Sequence, residues 1–293
     1  MAATELEAIE PVQKRTRLWQ RGMGWDAGRY VVLALFLLIF CVPILWVWSS
    51  AFKTSIEIAR DPFGLPSTFQ WENIQKAWTI GHFDRYMSNT VIYCIAIVGG
   101  MVALSSLAGY ALALLPLPAR GAILMVFVLG LMVPFQSVMI PIYYVLRDLH
   151  LLETYWAFIL PGIAFRLPFG IFLMRGFFRG LPAEIGDAAR VDGANEWSVF
   201  RQIMLPLSIP GLATLILFQF IWTWNQFLMP LVFVQSDDLR PVSLGTMFFF
   251  GRFTADRGMI AAGVTISMLP MVVLFLLLQR RFIDGITAGA LKS

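Results

Sequence analysis

Six stretches of this chain are each long and apolar enough to cross a lipid bilayer, and together they take up most of its length. They run near Tyr30 to Ala51, Ser88 to Leu115, Gly121 to Leu146, Tyr155 to Phe178, Leu207 to Val234 and Met259 to Phe282. A hydrocarbon core of about 30 Å is spanned by roughly 20 apolar residues in a helix. Within it every backbone N–H and C=O must find its partner in the chain, so only helices and closed barrels qualify. Barrel strands alternate polar and apolar over about ten residues, and these stretches are too long and too uniformly apolar for that. The expected fold is an all-α integral membrane bundle of six transmembrane helices over residues 30–282, with tails at 1–29 and 283–293. Composition agrees, since 58% hydrophobic and 14% charged residues lie far from the usage of soluble domains.

Charge sets the orientation. The tail before the first span carries Lys14, Arg15, Arg17, Arg21 and Arg29, and no small-residue cleavage pattern follows a short apolar core, so this span reads as retained. With six spans both ends share a side. That side collects thirteen Lys and Arg, including Arg120, Arg175, Arg179, Arg190, Arg201, Arg280, Arg281 and Lys292, against eight on the other, with Arg166 inside a span. By the positive-inside rule the termini are cytoplasmic. The net charge of +4 then reflects topology and gives no reason to expect nucleic acid as a partner. The opposite face holds two loops, about Phe52 to Met87 and Gln235 to Gly258, whose Trp, Pro, Gly and charged residues suit ordered contact surfaces.

Several chemistries are missing. Cys41 and Cys94 both fall in apolar stretches and read as small buried hydrophobes. There is no G-x-x-x-x-G-K-[ST] run to cradle phosphate. His82 and His150 lie at loop edges without metal-ligand spacing, so neither a zinc site nor histidine catalysis is expected. The middles of the spans hold no carboxylate for a proton or sodium relay. The chain is expected to be non-catalytic, with no cofactor or metal of its own, and to take its energy from a partner.

Between the fourth and fifth stretches lies a polar island, residues 181–206. Its carboxylates and helix ends would lose water in hydrocarbon without replacement, so it belongs at an aqueous face. Pro182 suits a first helical turn, and Glu184 follows near the positive helix end. Ile185, Ala188 and Ala189 recur at helical spacing and make a small-residue face, with Asp187, Arg190 and Asp192 mostly off it. Gly193 can take the left-handed conformation that ends a helix. Asn195 can cap a second short helix bearing Trp197, Phe200 and Ile203 on one side. From these features alone the island is either an amphipathic segment lying on the membrane surface or a docking element.

The spacing favours docking. Asp187-Ala188-Ala189, three residues, Gly193, nine residues, Ile203, one residue and Leu205-Pro206 resemble the E-A-A loop of ABC importer permeases, with Asp187 in place of the usual glutamate. Trp222-Thr-Trp-Asn225-Gln-Phe-Leu-Met-Pro230, the ending Gln279 to Lys292, Leu151 to Pro161 and Pro168 to Arg175 resemble carbohydrate importers of the maltose-permease type. The resemblance covers most of the chain from about Met87 onward. It implies a permease subunit in a prokaryotic cytoplasmic (inner) membrane that pairs with a second permease subunit, docks on two ATPase subunits that bind ATP and Mg, and receives sugar from an extracytoplasmic binding protein. The island becomes a coupling helix between helices 4 and 5, with Glu184, Asp187, Ala188, Ala189, Asp192, Gly193, Trp197, Leu205 and Pro206 as coupling residues. The tail Thr287 to Ser293 resembles one that reaches the ATPase interface.

For the solute, Gln219, Trp222 and Gln226 recur at helical intervals beside Asn225, a polar and aromatic strip of the kind that suits sugar hydroxyls and pyranose faces. Helix–helix packing is the alternative use of the same residues. Gln136, beside Pro134 in the third stretch, is a further candidate. Arg166 either pairs with the second permease subunit, bonds a backbone carbonyl at a helix break, or meets a substrate phosphate. Two other functions stay open at this point. One is an ABC permease for a non-sugar solute such as glycerol phosphate, phosphate or polyamine; the other is a self-sufficient secondary carrier.

Overall fold

A computed structural model describes residues 23–245, 247 and 256–290, and side chains within residues 28–277 of that set. The basic residues of the N-terminal tail up to Arg21, and the last three residues of the C-terminal tail, lie outside the described residues. All regular structure among those described is helical.

The first apolar stretch is a single helix, α1 (Met23–Ala51). It is followed by two short helices, α2 (Ser55–Arg60) and α3 (Trp71–Thr79). The Thr54 hydroxyl accepts from the Glu57 amide at 3.2 Å and caps α2, as a side chain does for an orphan first-turn donor. The long α4 (Phe83–Leu114) begins after His82, whose φ of 55° turns the chain. Later come α7 (Trp156–Arg179) and α12 (Arg257–Ala290), each kept helical through internal prolines. Four helices are individually long and apolar enough to cross a membrane.

The third and fifth stretches differ from expectation. Residues 121–146 form two helices, α5 (Arg120–Leu131) and α6 (Phe135–Asp148), bent by 96°. Pro134 lacks an N–H and disfavours the helical conformation before it, so the helix stops and restarts. The island and fifth stretch form α8 (Ala183–Val191), α9 (Glu196–Leu207), α10 (Ile209–Trp224) and α11 (Leu228–Phe233), with a 74° bend between α9 and α10. Pro206 and Pro210 each remove an i→i−4 bond around this bend. Residues Val199–Met204 widen into a π-helical turn, where the Leu205 amide reaches Phe200 O. Counting each bent pair as one span brings the total to six.

The core follows the contact between α4 and α7. Glycine on one helix meets a side chain or backbone on the other: a Cβ on Gly109 would lie 2.8 Å from Met174 Cβ, and one on Gly170 would lie 2.6 Å from Met101 Sδ. Small residues let helix backbones approach where lipid gives no hydrophobic drive. Toward the end away from the island, Tyr93, Ile97, Phe158 and Phe233 pack together. Toward the island, Met101, Tyr110, Met174, Phe178, Phe200 and Met204 do so. The apolar window of α1 is not buried at all by the rest of the chain. Its residues from Tyr30 to Phe40 are exposed.

Candidate functional site

The island folds as a helical hairpin. Pro182 sits at the N-cap of α8, just ahead of the first turn in which its sequence position suggested it. At the other end Gly193 has φ +88°, its amide bonds Arg190 O at 3.1 Å, and the Ala194 amide bonds Ala189 O at 2.9 Å. This is a Schellman closure, which needs a left-handed residue at the position glycine holds. A Cβ on Gly193 would meet nothing within 4 Å, so the demand for glycine inside the chain is conformational and not steric. Asn195 Oδ1 then accepts from the Ser198 amide at 2.9 Å and caps α9, as expected.

One side of the hairpin is buried and the other is bare. Val199, Phe200 and Met204 sit in the core, Ala189 packs partly against it, and Gly186 lies under Met204 Cε. Glu184, Asp187, Ala188, Asp192, Gly193 and Pro206 are exposed; Leu205 is half-buried. Trp197 is exposed rather than packed with Phe200 in the core, although the two rings touch at 5.5 Å. Val191, apolar and 87% exposed, shares a helical face with Glu184 and Ala188 and projects at the hairpin tip. The sequence reading passed over it.

Charges brace the hairpin from within. Arg190 donates to Asp187 Oδ1 at 2.6 Å and to Glu196 Oε1 at 2.6 Å, and the Tyr110 hydroxyl donates to Glu196 Oε2 at 2.7 Å. The hydrogen bonds from Arg190 and then from Tyr110 hold the Glu196 carboxyl below its ordinary range, and Glu196 in turn raises Arg190. Neither Glu196 nor Tyr110 is a candidate from sequence. Arg190 is three residues from Asp187 and visible as a possible pair, but Tyr110 comes from another helix.

The expected strip along the fifth span is divided. Gln219 is fully buried, and neither of its amide atoms has a partner. Trp222 is exposed on a different face, its ring 5.2 Å from Phe169. The helix ends at Trp224, so Gln226 does not continue the row. Asn225 lies exposed at the break and donates to Ile221 O at 2.9 Å. A cavity of about 430 Å³ opens there, lined by Trp224, Asn225, Ser243, Ser267, Met268 and Met271 among others. Its shape comes from α10, the loop after it and α12, where Trp224 Nε1 donates to Ser267 O at 3.0 Å. Gln136 is exposed in the first turn of α6, a helix that meets α11.

Arg166, 7% exposed, donates to Gly162 O at 3.1 Å and to Trp222 O at 3.3 Å. Trp222 O is among the last carbonyls of α10, which have no partner within the helix, and a cation there complements the negative end of the helix dipole. Of the sequence alternatives, the structure has the bond to a backbone carbonyl at a helix break.

Residues 101–287 match the family described as binding-protein-dependent transport system inner membrane component. The probable ABC transporter permease protein YurM of Bacillus subtilis is 36% identical over 97% of this chain and 94% of its own. The diacetylchitobiose uptake system permease protein NgcG of Streptomyces coelicolor is 33% identical over 90% and 88%. A crystal structure of a bacterial ABC transporter involved in the import of the acidic polysaccharide alginate includes a chain similar in fold, with a TM-score of 0.79 at 23% identity over 89% of this chain and 98% of that one.

Proposed function

Because this chain belongs to the family of binding-protein-dependent transport system inner membrane components, we propose that it is a permease subunit of an ATP-driven importer for a sugar or oligosaccharide, supplying half of the translocation path. One observation carries the coupling part of this reading. The Asp187 to Pro206 spacing folds into a hairpin with one side in the core and a bare tip at Gly193. A short helix presented this way can seat in a cleft on an ATPase subunit. Nucleotide-driven closure would then move α7 and α10, which flank the hairpin, and alternate access to a central site. In this reading the chain crosses a prokaryotic inner membrane six times, both termini are cytoplasmic, and ATP and Mg stay on two partner subunits. A second permease subunit completes the path and covers surface such as α1. A sugar-binding protein meets the opposite face, and membrane lipid covers the rest.

Glu184, Asp187, Ala188, Ala189, Asp192, Gly193, Trp197, Leu205 and Pro206 form the dock and its base. For the solute, Asn225 and Trp222 are the better placed of the sequence candidates, Asn225 beside the cavity and Trp222 exposed. Gln219, fully buried, and Gln136 and Gln226 are secondary. A sugar is favoured by NgcG's named substrate class and by a path lined with amide, indole and hydroxyl groups. Two of Arg166's donors are turned to backbone carbonyls, which gives no support to a phosphate solute. The test is to purify a tagged chain in mild detergent beside Gly193→Asp. Wild type should bring down a nucleotide-hydrolysing subunit, and the variant should reach the membrane without it. A variant that keeps both the subunit and uptake would sink the coupling assignment.

A further inference from the structure

We infer that Tyr110, Glu196 and Arg190 form a latch that ties the docking hairpin to α4, so that α4 links the hairpin to the loop on the opposite face. This rests on the docking role proposed above. The hairpin's other ties to the bundle are largely apolar, through Val199, Phe200 and Met204. Such contacts are non-directional. The latch is directional. A buried tyrosine hydroxyl, on a residue only 4% exposed, donates to Glu196 at 2.7 Å. Glu196 takes Arg190 at 2.6 Å, and Arg190 takes Asp187 at 2.6 Å. Charge-assisted bonds of this kind fix geometry as well as adding energy. The series runs without interruption from α4, through the start of α9, to the exposed face of α8.

At its other end α4 grips the loop that precedes α12. Asn89 Nδ2 donates to Asp238 O at 2.8 Å and Arg240 O at 3.0 Å, while Tyr93 donates to Leu239 O at 2.9 Å. Tyr86 donates to Asp237 Oδ1 at 2.9 Å, and the Val242 amide donates to Thr90 Oγ1 at 2.7 Å. Tyr93 and Tyr110 are about 26 Å apart along one unbroken helix. A helix fixed at both ends by directional bonds moves as a rod and carries a displacement from one end to the other. Tyr110, Glu196 and Arg190 are therefore positioning residues, acting on the ATPase through the hairpin.

The test compares Tyr110→Phe, Glu196→Gln and the double variant in the complete complex, reconstituted in liposomes with its binding protein. The probe is whichever of diacetylchitobiose, maltotriose and trehalose the wild-type complex accumulates. Two quantities are read: ATPase subunit retained per permease, and sugar taken up per ATP hydrolysed. A latch leaves retention unchanged and lowers the ratio about tenfold in each single variant, with the double no worse than either. A merely structural role lowers uptake and hydrolysis together, and an unchanged ratio or multiplying losses also overturn the latch. A wild-type complex that retains no ATPase overturns the importer reading and the latch with it. Retention and uptake with an unaltered ratio in the variants overturn the latch alone.

Discussion

Gly109→Ala places one methyl group where α4 has no room for it. The new Cβ would lie 2.8 Å from Met174 Cβ, 2.9 Å from Arg175 N and 3.2 Å from Met174 C. Carbon contacts settle at about 3.5–4.0 Å, and two of the three atoms are main chain, so no rotamer change on α7 relieves the overlap. Overpacking of this sort costs about 1–3 kcal/mol, offset by about 0.5–1 kcal/mol for replacing glycine with alanine in a helix. The net expectation is a loss of up to about 2.5 kcal/mol, centred on about 1 kcal/mol. Gly99 on the same helix is the control, because a Cβ there meets nothing within 4 Å. Gly99→Ala should keep the propensity gain without the clash and stabilise by about 0.5–1 kcal/mol. The assay is the temperature at which half of the detergent-solubilised chain stays monodisperse, with the two variants expected on opposite sides of wild type. Gly109 is also next to Tyr110, so the displaced helix should loosen the hairpin and speed amide exchange in α8. A Gly109→Ala chain as heat-resistant as Gly99→Ala would refute the close-packed seam between α4 and α7.

Asn195→Ala removes the acceptor for the Ser198 amide and should cost about 1 kcal/mol locally. Hydrogen exchange at residues 198–200 should then quicken about fivefold with the rest of the chain unaffected, and unchanged exchange there would count against the cap. Asn225→Ala opens the α10 break and takes an amide from the cavity wall. Sugar uptake should fall several-fold in affinity with ATPase retention intact, and unaltered uptake kinetics would remove Asn225 from the solute path.

Local features were legible in the sequence and distant ones were not. Gly193 and Asn195 act within a few residues of themselves, so the turn and the cap follow from residue type and spacing. Pro134 and Pro206 can each break a helix, yet both stretches read as continuous spans, because a bend of 96° or 74° depends on what the helices pack against once broken. Gln219 and Trp222 are about 60° apart on a helical wheel. Which of them faces inward is decided by α4, α7 and α12, and a reading of α10 alone puts them on one strip. The contact between Tyr110 and Glu196 joins residues 86 apart, beyond any local pattern. Val191 continues the face of Glu184 and Ala188, and no local pattern shows that α8 lies at the edge of the bundle and leaves that face bare.

The central claim is best tested by uptake. The complex of this chain with its partner permease and ATPase subunits is sealed into liposomes, with binding protein and labelled diacetylchitobiose, maltotriose or trehalose outside. At least one sugar should accumulate against its gradient when ATP is trapped inside, and none when ATP is absent or Gly193 is aspartate. Uptake that persists without ATP and follows an imposed proton or sodium gradient would contradict the account.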